Sequence, residues 1–191
     1  MNKYTDQQIL DKVAATEGFT GIPDGVWIVG IRSSADVYNV FDDKFFVYRG
    51  NTFLFAMSGT TNPGDYALKN FNKYGAKGAA VVKADKWYND VWAVGMHKRR
   101  IKALVQVGSF DIIRDNNKNN ASGDAGSVSS ESWIGINLHP SSYNLALKTK
   151  PAIIGAWSAG CQVINDVQAF NKLMTTVGAQ KRVSYCLLKE F

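Results

Sequence analysis

Val26-Trp27-Ile28-Val29-Gly30-Ile31 is the stretch that decides the fold. It is short, apolar, rich in β-branched side chains and bounded by Gly25 and Ser33, so it reads as a strand. Working outward, the same style recurs in Phe45-Phe46-Val47-Tyr48, Thr52-Phe53-Leu54-Phe55-Ala56-Met57, Val91-Trp92-Ala93-Val94 and Ala103-Leu104-Val105-Gln106-Val107. Phe110-Asp111-Ile112-Ile113-Arg114 and Trp133-Ile134-Gly135-Ile136-Asn137-Leu138 complete the series. Arg49-Gly50-Asn51 and Val107-Gly108-Ser109 read as hairpin turns. Many short strands with close turns predict a mainly β chain, a sandwich or barrel, with a few peripheral helices.

The helices carry their own signals. Thr5-x-x-Gln8 is a capping box, and Ile9, Leu10, Val13 and Ala14 follow at helical spacing, with Gly18 placed to stop the helix. This predicts a helix at about 5–17. Asn165-x-x-Gln168 reads as a second capping box, before a stripe of Val167, Phe170, Leu173, Met174 and Val177 that Gly178 ends. Arg182 to Phe191 reads as a last strand buried on both faces. Asp115 to Glu131, rich in Asn, Ser, Gly and Asp, reads as a flexible loop. It lacks the glycine and terminal-glutamate spacing of a calcium loop. There is no internal repeat and no linker, so residues 1–191 read as a single domain.

At 191 residues, with 46% hydrophobic and 12% aromatic content, the chain is long enough for a real core. A net charge of +6 and a sequence pI near 9.3 favour anionic partners, or reflect only a lysine-rich surface. No nucleic-acid module accompanies the basic cluster Lys98-Arg99-Arg100-Lys102, so no specific nucleic-acid partner is expected. Cys161 and Cys186 exclude a disulfide-rich scaffold, and Cys186 reads as core because its strand is apolar. The N-terminal stretch Met1 to Gln8 has no apolar leader region and no run is long enough for a transmembrane segment. A target beyond the cell membrane would then require delivery by another device.

Chemistry concentrates around Cys161. Ser158-Ala159-Gly160-Cys161 is a turn carrying a thiol, and His139 stands at the end of an earlier apolar strand. A thiolate is the nucleophile, and an imidazole can take its proton. Amides near Ala159, Gly160 and Cys161 can face an oxyanion, and Ser158 can fix the turn. Asn137 shares the strand face of His139 and can orient it or contact substrate. Trp157 can wall the pocket or simply pack. His97 has two readings, a cleft residue or a solvated neighbour of the basic cluster. Arg32, Asp42, Asp43, Arg114 and Asp115 flank strands, where charges are usually solvated; Arg32 and Arg114 are candidate substrate-binding cations. Two histidines and two cysteines at no recognised spacing do not make a metal site, and neither a Walker loop nor a dinucleotide fingerprint is present. No cofactor is expected.

Asn137-Leu138-His139 followed by Trp157-Ser158-Ala159-Gly160-Cys161-Gln162-Val163 resembles the L,D-transpeptidase catalytic domain (YkuD-like), in a divergent phage-type branch. Ile28-Val29-Gly30-Ile31-Arg32, Thr60-Thr61-Asn62-Pro63-Gly64, Gly95-Met96-His97-Lys98, Ala103-Leu104-Val105-Gln106 and Ile113-Arg114-Asp115 resemble that branch too. The resemblance implies an L,D-transpeptidase-like β fold, Cys161 as nucleophile and His139 as base, its ring held by a backbone carbonyl. It also implies a peptidoglycan stem peptide as substrate. Two departures stand out: Ala159 replaces a second histidine, and Val163 stands where the family carries an arginine. The expected activity is therefore a cysteine-dependent stem-peptide peptidase, an L,D-carboxypeptidase or endopeptidase in phage-associated wall degradation. The alternatives are an L,D-transpeptidase, or a non-catalytic virion, baseplate or wall-binding protein associated with phage structural proteins.

Overall fold

The computed structural model describes residues 4–74, with only the backbone of Tyr74, and residues 77–191. Met1 to Lys3, part of the stretch read as having no leader, lie outside the described residues. Strands are β1 (Val26–Arg32), β2 (Asp43–Arg49), β3 (Thr52–Thr60), β4 (Ala79–Val82), β5 (Lys86–His97), β6 (Ile101–Gln106), β7 (Phe110–Asp115), β8 (Val128–Glu131), β9 (Leu138–Pro140), β10 (Gln162–Ile164) and β11 (Val183–Lys189). Helices are α1 (Asp6–Ala14), α2 (Asp65–Asn70) and α3 (Val167–Val177), and a 3₁₀ turn covers Phe71–Tyr74. The chain is mainly β with a few helices. No helix among the described residues is long and apolar enough to cross a membrane.

Eight strands close a barrel in the order β1-β11-β5-β6-β9-β10-β3-β2, and β4-β7-β8 form a separate sheet. The pairs β1/β11 and β9/β10 are parallel and the other barrel pairs antiparallel. β1 shows why its sequence is a continuous apolar run. Val26 and Ile28 join the main core, while Trp27, Val29 and Ile31 join a second cluster with Ile9 and Val13 of α1. A strand covered on both faces cannot alternate polar with apolar. β11 follows the same logic, with Tyr185 and Leu187 on one side and Cys186 and Leu188 on the other. Burying Ile9 and Val13 contributes about 1.5–3 kcal/mol each. That keeps a short helix, marginal alone in water, against the barrel.

Several sequence expectations are corrected. Val107-Gly108-Ser109 is not a hairpin: β6 pairs with β5 and β9, β7 with β4 and β8. The chain leaves the barrel there because the Val107 and Gly108 amides both donate to Val91 O. Trp133 to Asn137 is not strand, since Trp133 and Gly135 take φ of +62° and +81°, which breaks the pleat. Only Leu138–Pro140 pairs. The Asp115–Glu131 segment ends in a strand, β8. α1 stops at Ala14, short of Gly18, with Thr16 Oγ1 donating to Val13 O at 2.7 Å. α3 is capped by Asp166, not Asn165: its carboxylate accepts from the Gln168 and Ala169 amides. The Thr5/Gln8 box, the Gly178 stop and the buried stripe of Val167, Phe170, Leu173 and Val177 are as read.

Candidate active site

The turn before β10 is built to hold a thiol. Ser158 is buried; its hydroxyl donates to Cys161 O at 2.8 Å and accepts from Gly160 N at 3.2 Å. The turn is tied outward as well, through Gly64 N to Ser158 O at 2.9 Å and Ala80 N to Ala159 O at 3.2 Å. Gly160 takes φ of +141°, and a Cβ there would lie 2.7 Å from Ala80 Cβ and 2.8 Å from Ala80 O. Only glycine accepts both the backbone angle and the closeness. Gln162, the first residue after the turn, points into the barrel, where Tyr185 Oη donates to its Oε1 at 2.9 Å. Gly30 makes that possible, since a Cβ on it would meet the Tyr185 hydroxyl at 2.2 Å.

Cys161 is half-buried and opens into a cleft of about 380 Å³ whose walls include Ala159, Gly160, Gly135, Ile136 and Arg114. Its S–H donates to Gly135 O at 3.2 Å. Burial pushes the thiol above its ordinary value, opposed by the Asn137 backbone amide and by Lys98. Of the proposed oxyanion donors, Gly160 N–H is held by Ser158, while the Cys161 N–H has no hydrogen-bond partner among the described residues.

β9 runs parallel to β10 with Val163 opposite His139. Register partners project to the same face, and Cys161 packs with Val163, Ile154 and Trp157 on that face. His139 is buried, and its Nδ1–H donates to Pro140 O at 2.9 Å, which leaves the lone pair on Nε2. Nε2 has no hydrogen-bond partner and the Cys161 thiol donates to Gly135 O, so no hydrogen bond joins thiol and imidazole. Burial, with His97 alongside, lowers His139 to about 3. Burial thus disfavours the charged form of both the thiol and the imidazole.

His97 is not solvated. It is 3% exposed and stacks on His139, centroids 4.0 Å apart, and burial and Lys98 lower it to about 4. It does not line the cleft. Asn137 joins the pieces: Oδ1 accepts from Gln106 N at 2.9 Å and Nδ2 donates to His97 Nδ1 at 3.0 Å. Trp157 lies edge-on to Tyr143, which in turn stacks on His97, and Arg100 sits over the Tyr143 ring at 4.9 Å.

The two candidate cations part company. Arg114 reaches the cleft wall, with its fork on Glu131 and Nη1 donating to Gly78 O at 3.2 Å. Arg32 stays away from the cleft; it donates to Thr61 Oγ1, Thr61 O and Val82 O, bracing β1 against β4. Asp43, expected to be solvated, is 1% exposed. It accepts from the Ser33 and Thr61 amides, and burial raises it to about 6.

Sequence reasoning missed Gln106, whose Oε1 accepts from Ile136 N and whose Nε2 donates to Gly108 O and Glu131 O. The signal was a lone amide ending an apolar strand, which when buried must find partners. Tyr143 carried no signal of its own. No known protein family, no curated protein and no solved structure matches the chain.

Proposed function

We propose that the protein is a cysteine-dependent peptidase acting on peptidoglycan stem peptides, in phage-associated wall degradation. One observation carries the chemical half: Cys161 opens into a cleft while His139, on the neighbouring strand, is clamped by Pro140 O with its Nε2 lone pair free. The substrate class rests on the motif resemblance around Asn137–His139 and Trp157–Val163. Rotation of the Cys161 side chain away from Gly135 O brings the thiol toward His139. The S–H proton passes to His139 Nε2 as sulfur attacks the peptide carbonyl, and the C–N bond then breaks as the leaving amine takes that proton. Water, giving its proton to His139, hydrolyses the thioester and restores the thiol. The Cys161 N–H supports the oxyanion. Arg114 brings a positive charge to the cleft wall from another strand, and a substrate carboxylate would have to compete with Glu131 for its fork.

The test is incubation of disaccharide-tetrapeptide with wild-type protein and Cys161→Ala, with and without excess D-methionine, followed by mass spectrometry. Loss of a terminal residue by wild type alone is expected. A dominant D-methionine adduct would replace hydrolysis with transpeptidation. A second reading, a non-catalytic wall-binding module, is favoured by the absent thiol–imidazole hydrogen bond; no product across several wall chemistries would select it.

A further inference from the structure

His97 lies outside the cleft, buried, stacked on His139 and hydrogen-bonded to Asn137. We infer that His97 is a positioning residue, a stacked neutral ring that fixes the plane of His139 and keeps the transferred proton on His139 Nε2. The inference rests on the proposed thiol chemistry and adds a residue to it.

The argument runs through Asn137. Gln106 N–H takes Asn137 Oδ1, so the amide nitrogen must face His97 Nδ1. An N–H pointing at Nδ1 makes Nδ1 an acceptor, which places the His97 proton on Nε2. Protonating His97 would set two N–H groups against each other, so Asn137 holds the ring neutral. His139 is the opposite tautomer, with its proton on Nδ1 and donated to Pro140 O. The rings lie face to face at 4.0 Å and 23°. Two adjacent imidazolium ions repel strongly, and only His139 can become charged without losing a hydrogen bond.

The other charged groups nearby leave this assignment in place. Lys98 follows His97 in sequence and acts on both rings, and Arg100 lies over Tyr143 on the far side of His97. Both are cations, and neither histidine hydrogen-bonds to a carboxylate among the described residues. With no carboxylate to stabilise an imidazolium, the ring plane and the tautomer are set by stacking, by Asn137 and by Pro140 O. The same Asn137 donates its backbone N–H to Gly135 O at 2.9 Å, the carbonyl that also accepts the Cys161 S–H, so one residue ties the thiol's acceptor to the ring stack.

The chain has two histidines, which makes the test direct. In ¹⁵N-histidine protein at pH 7, long-range ¹H–¹⁵N spectra should show two neutral rings of opposite tautomer, assigned with a His97→Phe variant. Asn137→Asp should convert His97 to the Nδ1–H form. The rate of Cys161 alkylation by iodoacetamide against pH gives a second readout that needs no muropeptide. His97→Ala should lower that rate about tenfold at neutral pH, and His97→Phe, which keeps a flat ring on His139, should restore most of it. Matching tautomers in the wild type, a charged His97, or equal rates in His97→Ala and wild type would overturn the inference, as would equal losses in the Ala and Phe variants. Failure of the peptidase reading looks different: opposed tautomers and the alkylation pattern persist while no stem peptide is turned over.

Discussion

Gly160→Ala tests how the turn that carries Cys161 is made. In the folded chain Gly160 has φ of +141°, and the new methyl would meet Ala80 Cβ at 2.7 Å, Ala80 O at 2.8 Å and Ile136 Cδ1 at 2.9 Å. Holding an L-residue in that backbone region costs on the order of 1–3 kcal/mol. Forcing a methyl between β4 and the Ile136 segment costs about 1–3 kcal/mol more, because Ala80 O is backbone and cannot swing away. The less flexible unfolded chain offsets roughly 0.4–1 kcal/mol. The net loss is about 3 kcal/mol, which for a domain of this size lowers Tm by about 6–12 °C. Gly50→Ala is the control: φ is +52° at the β2–β3 hairpin and nothing lies within 4 Å of the added Cβ. It carries only the backbone cost of about 1–2 kcal/mol, offset in the same way, so its Tm should fall by about 2–3 °C. Thermal melts by circular dichroism, with iodoacetamide labelling of Cys161 alongside, compare the two. If Gly160→Ala melts no lower than Gly50→Ala, the close approach of the turn to β4 is not what makes glycine necessary.

Iodoacetamide at neutral pH should label Cys161 and spare Cys186, which is fully buried and which burial pushes up to about 12; peptide mapping that finds Cys186 labelled first would reverse the assignment. Acid should destabilise the protein through its histidines. The folded chain holds His97 at about 4 and His139 at about 3, below the ordinary 6.5, so their contribution is present above pH 6.5 and lost as pH falls toward those values. Asp43 works in the opposite sense, since a carboxyl raised to about 6 contributes stability below its unfolded value that is lost as pH rises through about 6. Melts between pH 4 and 7 should therefore show a shallower acid slope in a His97→Gln/His139→Gln protein and a steeper one in Asp43→Asn; an unchanged slope in either would refute that assignment. Arg32→Gln should cost about 3 kcal/mol of stability through its lost backbone and Thr61 bonds; Arg114→Gln loses its Glu131 and Gly78 bonds and should also lower Tm, but of the two it alone should raise KM for a carboxylate-ended stem peptide. Urea melts and kinetics on both variants would expose an exchange of roles.

The sequence by itself determined the class of fold and the chemistry on offer. Near-continuous apolar runs at Val26–Ile31 and Val183–Leu188 can be stable only where both faces are covered, and both strands are buried on two sides. The Thr5 and Gly178 signals are local, complete within one helical turn, so they could be read without a partner. Ser158-x-Gly160-Cys161 is local in the same way: its hydroxyl and its glycine act on neighbours a few residues off. The surroundings of His97, Arg32, Asp43 and Gln106 were decided by tertiary structure alone, because each is held by groups distant in sequence. His97 looked solvated beside Lys98 because nothing local shows that β5 lies near β9, where His139 stacks on it. Arg32 and Arg114 are the same residue type at strand ends; closure of the barrel against the small sheet sends one into a structural brace and the other to the cleft wall. Charge and side-chain type are written in the sequence, but burial and partners belong to strand order, which short apolar runs do not encode.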